Sequence, residues 1–468
     1  MEQESTAQGP IKRYPKRILA SFQLGNFVGL MMSQMYSQQL AFYYQSELGL
    51  NITLYLIANV IYMLFNMFND PLLGYLCDKS TRFTKRWGKR FPFIIIGSIP
   101  YCFMVIFLFF SPTITQIGQI GVFYWFLLFQ CLMDTVFSLY DINRVALFPD
   151  KFRDNKDRKI AGAITTYLET FGVLVGVIVP VLTVEILGGA TGYGFMGIII
   201  AIIALILMLL MIPGVREDQE MRQRRSIIDK QASSESFFSG MKAAIKDKNF
   251  IGYMFFYVCY SGCMGLVMAS LPFVVRDILQ MSKIGEMFVL FYIAFVLITA
   301  PFWYKISFKF GIKKVAMTGG IILGSVMLLF LFIPIGAEGV PLAIFGFITA
   351  GAVDGAIITM TMPIFSSVVD KATITSGRRR EGMYRGTEIF FSRLTIVIHS
   401  SIFWFVQTIL GYNPLGNNTV AGLLGLRIQV GVFPIIIIGT GILIFWSLYR
   451  ITPDEMEANA KKLKELGL

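Results

Sequence analysis

Apolar residues gather in long runs separated by short, charge-rich segments. Runs near 18–45, 52–77, 92–112, 119–148, 160–187 and 191–214 precede a polar stretch from 215 to 249. Runs near 250–275, 284–304, 315–335, 340–369, 382–410 and 428–449 follow it. A hydrocarbon core about 30 Å thick takes about 20 apolar residues in a helix, so each run reaches membrane-spanning length. Inside lipid the backbone must satisfy its own N–H and C=O groups, and long unalternating runs do so as helices. The pattern predicts twelve transmembrane helices, six on each side of a central loop. The stretch 1–17 is polar and basic, and the run after it is too long for a signal-peptide core, so it is read as the first span. The chain then divides into an N-terminal segment 1–17, a six-helix half 18–214, a central loop 215–249, a second half 250–450 and a tail 451–468. Within the central loop, residues 236–242 read as an amphipathic helix lying along the membrane.

Composition agrees with this reading. Of 468 residues, 55% are hydrophobic and only 15% charged, with mean hydropathy +0.65. Soluble proteins carry about 25% charged residues, so a soluble enzyme is excluded. Orientation follows from Lys and Arg. Of the 41, 35 lie in the N-terminal segment, the even-numbered loops, the central loop and the tail, whereas the other loops hold only Arg276, Lys283 and Arg427. Both termini and the central loop are therefore expected in the cytoplasm. The net charge of +12 is that topology signal, and no nucleic-acid partner is expected.

Three arginines (Arg144, Arg385, Arg393) and seven acids (Asp70, Asp134, Asp141, Glu169, Glu286, Asp354, Glu388) remain inside predicted spans or at their edges. Charges in hydrocarbon are expensive and normally face an internal pathway. The five cysteines and the single His399 form no zinc spacing, so neither a metal site nor a disulfide framework is expected. The sequence holds no Gly-x-x-x-x-Gly-Lys loop or nucleophile–base set, which argues against an ATP-driven pump or an enzyme, and no cofactor is expected.

The halves repeat. Phe148-Pro149-Asp150-Lys151, followed by Arg158-Lys159-Ile160-Ala161-Gly162, matches Val369-Asp370-Lys371, followed by Arg379-Arg380-Glu381-Gly382, at an offset of about 220 residues. Two six-helix repeats with sites near the midplane between them are the major facilitator architecture. The expected fold class is thus an all-α bundle of twelve spans in two pseudo-symmetric halves.

Two longer motifs narrow the reading. Asn69-Asp70-Pro71-Leu72-Leu73-Gly74-Tyr75-Leu76-Cys77-Asp78 runs on to Lys85-Arg86-Trp87-Gly88-Lys89-Arg90-Phe91-Pro92, and Ser376-Gly377-Arg378-Arg379-Arg380-Glu381-Gly382 follows span ten. With these motifs the chain resembles the glycoside–pentoside–hexuronide:cation symporter family over nearly its whole length. The resemblance implies symport of a sugar or glycoside with sodium or a proton, by alternating access. It also implies a cation site at Asp70 helped by the Ser138 hydroxyl, and that Asp141 accepts hydrogen bonds from sugar hydroxyls. The family has a second cation-binding carboxylate where this chain departs with Asn66, whose amide oxygen could still ligate sodium beside Asp70. Arg393 stands where the family has a lysine facing the central cavity, and its planar fork would suit an anionic group.

The residues by themselves leave alternatives. Asn66 and Asp70 share one helix face, and Asp70 could bind a cation or hold helices together as an ion pair. Asp134 and Asp141 share a face of span four, where Asp141 could also pair with Arg144. Glu388 and Asp134 are further substrate candidates. Asp78, Gly74 and Arg380 are the gating candidates, against a loop that only anchors orientation. Other family sugar groups are absent: Leu30, Val145 and Thr166 occupy the places of an aspartate, a tryptophan and an arginine. Gln34, Ser37, Gln38 and Gln39 could bind hydroxyls or join helices. A lysophospholipid or other amphiphile is the alternative substrate, and a transporter-like receptor the alternative from another class. The expected partners are a small-molecule substrate and the lipid bilayer, and the chain gives no sign of its oligomeric state.

Overall fold

The computed structural model describes residues 13–79, 87–219, 221, 237–376 and 381–465. The first half comprises α1 (Lys16–Phe42), α2 (Ile52–Lys79), α3 (Phe91–Phe109), α4 (Ile114–Lys151), α5 (Asn155–Leu187) and α6 (Gly189–Val215). A short helix, α7 (Phe237–Lys246), leads into the second half, where spans seven to ten are α8 (Lys248–Phe273), α9 (Val289–Phe310), α10 (Ile312–Met327) and α11 (Val340–Ser376). Span eleven is split at Arg393 into α12 (Glu381–Ser392) and α13 (Leu394–Thr408). Span twelve is α14 (Val420–Leu448), and α15 (Pro453–Glu465) follows it.

Eleven helical segments among the described residues are long and apolar enough to cross a membrane. The first helix, α1, is of similar length, but Gln23, Asn26, Gln34, Gln38 and Gln39 interrupt its apolar run. It packs within the bundle against α5 and α6.

Helix ends follow local chemistry more than hydropathy. Helix α4 begins at Ile114, earlier than the expected 119, where the Gln116 side chain accepts from the Thr113 N–H at 2.9 Å. Gly118, at φ 70° and ψ 173°, makes the kink there, a conformation that favours glycine. Helix α14 begins at Val420 rather than near 428, because the Thr419 hydroxyl caps it by accepting from the Gly422 N–H at 3.1 Å. The amphipathic helix expected around 236–242 is α7, which packs against α8 and α12.

Within the first half α1 lies against α5 and α6, α3 against α4 and α6, and α2 against α4. The second half repeats the plan, with α8 against α14, and α9 and α10 against α11. Gly172 and Gly176, one turn apart, set α5 directly on the Phe27 and Met31 carbonyls of α1. Small residues at such spacing allow close backbone approach where hydrophobicity cannot drive helices together.

The halves meet through α1 and α8, through α2 and α13, and through α5 and the 3-10 turn Lys283–Phe288. At the end of the bundle away from the termini this seam is polar. Gln38 and Gln39 of α1 donate to Glu286 Oε2 at 2.9 and 2.6 Å, and Lys283 lies 2.8 Å from Glu286 Oε1. Arg276 bonds Ser46, Gln407 bonds Gln45, and Trp404 donates to Thr53 at 3.2 Å. The Phe42 and Phe273 rings pack at 4.9 Å between these pairs. This far end is zipped shut.

Candidate functional site

Position in the helices assembles the site. Asn66 and Asp70 stand one turn apart on α2, and Asp134, Ser138 and Asp141 recur at helical spacing on α4. Pro71 has no N–H to give to the carbonyl four residues earlier, which loosens the α2 backbone beside Asp70. Arg393 comes from the opposite half, at the break between α12 and α13.

These side chains meet. Arg393 Nη2 lies 2.8 Å from Asp70 Oδ2, and Nη1 lies 3.9 Å from Asp134 Oδ1. The Ser138 hydroxyl donates to Asp70 Oδ1. Tyr62 donates to Asp134 Oδ1 at 3.2 Å and accepts from the Asn66 amide at 3.2 Å. One turn before Asp134, Gln130 donates to Tyr36 at 2.6 Å and to Asn59 at 3.1 Å. Asn66 is fully buried, and the side chains of Asp134, Asp70 and Arg393 are 7%, 18% and 22% exposed.

The set has a formal charge of −1, from two carboxylates and one guanidinium. Among the described residues, several of its buried polar atoms have no hydrogen-bond partner: Asn66 Oδ1, Asp134 Oδ2, Gln130 Oε1 and Arg393 Nε. Buried polar groups are ordinarily paired, so an unpaired group set at a half–half seam is suited to a ligand. The ion pair also ties α2 and α4 of one half to span eleven of the other.

Other predicted residues fall elsewhere. Asp141 is 30% exposed and pairs within α4 to Arg144 at 2.7 Å, the intrahelical alternative left open by the sequence. Arg144 lies over the Tyr140 ring, 5.7 Å from its centroid. Glu388 is held by both of its oxygens to Arg385 at 2.8 Å and accepts from Tyr253 at 3.3 Å. Gly74 has open space where a Cβ would stand, so packing does not require glycine there. The Asp78 side chain and Arg380 lie outside the described residues. Gln38 and Gln39 join helices through Glu286. His399 does likewise, its Nε2 lying 2.7 Å from the Gly262 carbonyl oxygen.

Tyr62, Gln130 and Tyr36 belong to the network although no sequence motif marks them. Tyr62 stands one turn before Asn66 and Gln130 one turn before Asp134, so the same spacing argument extended by a turn reaches both.

The chain matches the family model described as MFS/sugar transport protein over residues 21–453. It is 21% identical over 437 residues to the sodium-dependent lysophosphatidylcholine symporter 1-A of Danio rerio, covering 85% of this chain and 78% of that protein. It is 22% identical over 438 residues to the "Putative glycoside/cation symporter YagG" of Escherichia coli (strain K12), covering 91% of this chain and 89% of that one. Two solved structures share the fold. The nucleoside transporter NupG is 14% identical with a TM-score of 0.62, covering 92% of this chain and 98% of that chain. A bacterial homolog of the human lysosomal transporter Spinster, in an inward-facing and unoccupied conformation, is 12% identical with a TM-score of 0.66, covering 94% and 100%. Likeness at that identity bears on the fold alone. A twelve-span plan in two halves, charged groups at the seam between them and a family match over nearly the whole chain converge: this protein belongs to the MFS/sugar transport family of multi-pass membrane transporters.

Proposed function

We propose that this transporter couples entry of a solute to sodium, bound at Asp70 with Ser138, Asn66 and Asp134. The observation that carries the reading is the formal charge of −1 on the Asp70–Asp134–Arg393 set, half-enclosed at the seam. One monovalent cation brings that set to neutrality, which a low-dielectric surrounding favours. Sodium is a hard ion that takes oxygen ligands, by analogy with calcium. Both Asp70 oxygens, the Ser138 hydroxyl, Asn66 Oδ1 and Asp134 Oδ2 are oxygens of the right kind. A cation at Asp70 competes with Arg393 for the carboxylate. Freed from Asp70, the Arg393 fork becomes available to an anionic group on the solute. Binding of one ligand then favours the other, which is the linkage symport requires.

The solute favoured here is a sugar or glycoside bearing an anionic group. The unpaired Asn66, Asp134 and Gln130 oxygens offer acceptors to hydroxyls, and the unpaired Arg393 Nε a donor. An anionic amphiphile is the second reading. Leu30 and Val145 are 38% and 55% exposed where the family has polar sugar contacts, and one relative is a lysophosphatidylcholine symporter. With the termini in the cytoplasm, as the Lys and Arg distribution indicates, the zipped far end is the extracellular one, and the plasma membrane is the proposed location.

Thermal stability of the purified protein tests this, with glycosides, glucuronides and lysophospholipids compared in sodium and in choline. Ligands that bind only the folded state raise the midpoint by mass action. A glucuronide shift that grows with sodium and vanishes in Asp70→Asn is expected. A lipid shift with silent sugars overturns the substrate reading, and sodium-insensitive shifts overturn the sodium reading in favour of protons.

A further inference from the structure

Asp354 lies on α11 in the second half and is fully buried. Tyr260 of α8 donates to its Oδ2 at 3.1 Å, and Tyr292 of α9 donates to the same oxygen. Its Oδ1 is buried with no hydrogen-bond partner among the described residues. The titratable groups facing it are those two hydroxyls and the Cys263 thiol of α8. Helix α10 meets α11 beside Asp354 through Gly319, which lies against Ala356 and Ile357. Among the described residues no Lys, Arg or His pairs with Asp354.

The surroundings seal it. Gly351 and Gly355, on either side of Asp354, bring α11 onto the Tyr292 and Val296 carbonyls of α9. Thr299 and Trp303 of α9 both donate to the Ala352 carbonyl, at 2.8 and 2.7 Å.

Sequence symmetry sharpens the contrast. Asp354 follows Asp134 by 220 residues, the offset that also relates Asp150-Lys151 to Asp370-Lys371. Asp134 likewise sits beside a tyrosine hydroxyl, that of Tyr62. The first-half acid has Arg393 as a counter-charge, at 3.9 Å. The second-half acid has none among the described residues.

An isolated carboxylate in so dry a place is far more costly than the neutral acid. A sodium ion would need several oxygens around it, and at this position Asp354 Oδ1 is the oxygen left unpaired. We propose that Asp354 is a proton-binding site of the second half, distinct from the Asp70 centre. When α11 parts from α8 and α9 the carboxylate takes one proton from a hydronium ion of the solvent, leaving water, and it carries that proton as a neutral acid while these helices are closed. The site thus gives the second half its own response to pH, independent of the sodium reading.

Infrared absorption of the purified full-length protein tests this, through the carbonyl band of protonated carboxyl groups. Asp354→Asn is expected to lose one such band. Tyr260→Phe, which leaves the acid in place with one donor fewer, is expected to keep the band at a shifted frequency. The same bands in both variants as in the wild type would mean that Asp354 is ionised, which overturns the proposal. Where Asp354→Asn does not fold, Tyr260→Phe decides: a shifted band supports the site and an unchanged spectrum overturns it. Neither readout uses sodium or solute, so failure here is separate from failure of the symport reading.

Discussion

Replacing Glu286 with glutamine should unzip the far end. In the structure this fully buried carboxylate accepts from Gln38 and Gln39 at 2.9 and 2.6 Å and faces Lys283 at 2.8 Å. Glutamine keeps the shape but leaves the Lys283 ammonium without its counter-charge. Breaking one partner of a buried pair costs roughly 3–5 kcal/mol. Lys283 also donates to Tyr193 at 2.6 Å and lies 4.0 Å from the Phe42 ring centroid, which retain part of the stabilisation. The net loss is therefore set at the lower end, about 3 kcal/mol, and it acts on the far-end-closed state alone. Since about 1.4 kcal/mol is tenfold in an equilibrium constant, the closed state should lose on the order of a hundredfold in relative population. Hydrogen exchange followed by mass spectrometry reads this. Peptides spanning 37–50 and 274–288 should exchange faster in Glu286→Gln. Unchanged exchange there, in a variant that is folded, would refute the assignment of this cluster as the far-end lock.

Three further outcomes rest on the same geometry. Arg393→Ala leaves Asp70 and Asp134 without counter-charge, so its melting temperature should fall in choline and recover in saturating sodium by more than the wild type gains. Gly176→Leu should cost several degrees of melting temperature, because its side chain meets the Met31 carbonyl, whereas Gly74→Ala should stay within about 0.5 kcal/mol of wild type in denaturation. Lost transport in a stable Gly74→Ala would then point to gating. Tyr412, in the loop before α14, donates to Asp277 Oδ2, and burial followed by the Asp277 charge holds its hydroxyl well above the usual tyrosine range. A raised folded value means that its stabilisation is complete below about pH 10 and is lost as pH rises further; the fall in melting temperature in that window should be shallower in Tyr412→Phe.

Hydropathy located the helices because lipid leaves the backbone no other way to pair, and it missed where chemistry overrides composition. The Gln116 bond at the start of α4 and the Thr419 cap of α14 are side-chain effects that a window of apolarity averages away. Helical spacing put Asn66 on the face of Asp70 and Asp141 on the face of Asp134, whereas Ser138 entered through the family resemblance. It could not bring Arg393 to Asp70, since that pair joins residues 323 apart across the two halves. Asp141 is the opposite case: its partner Arg144 is three residues away, and the local pair is the one formed. Asp354 was legible as an intramembrane acid, but its two tyrosine donors come from separate helices, and only packing reveals them.

The central claim is that Asp70 holds the coupling cation. Binding of radioactive sodium to the purified protein measures this without a known substrate. The account predicts saturable binding in the wild type and in Asp141→Asn, and none in Asp70→Asn. Equal sodium binding by Asp70→Asn and the wild type would contradict it.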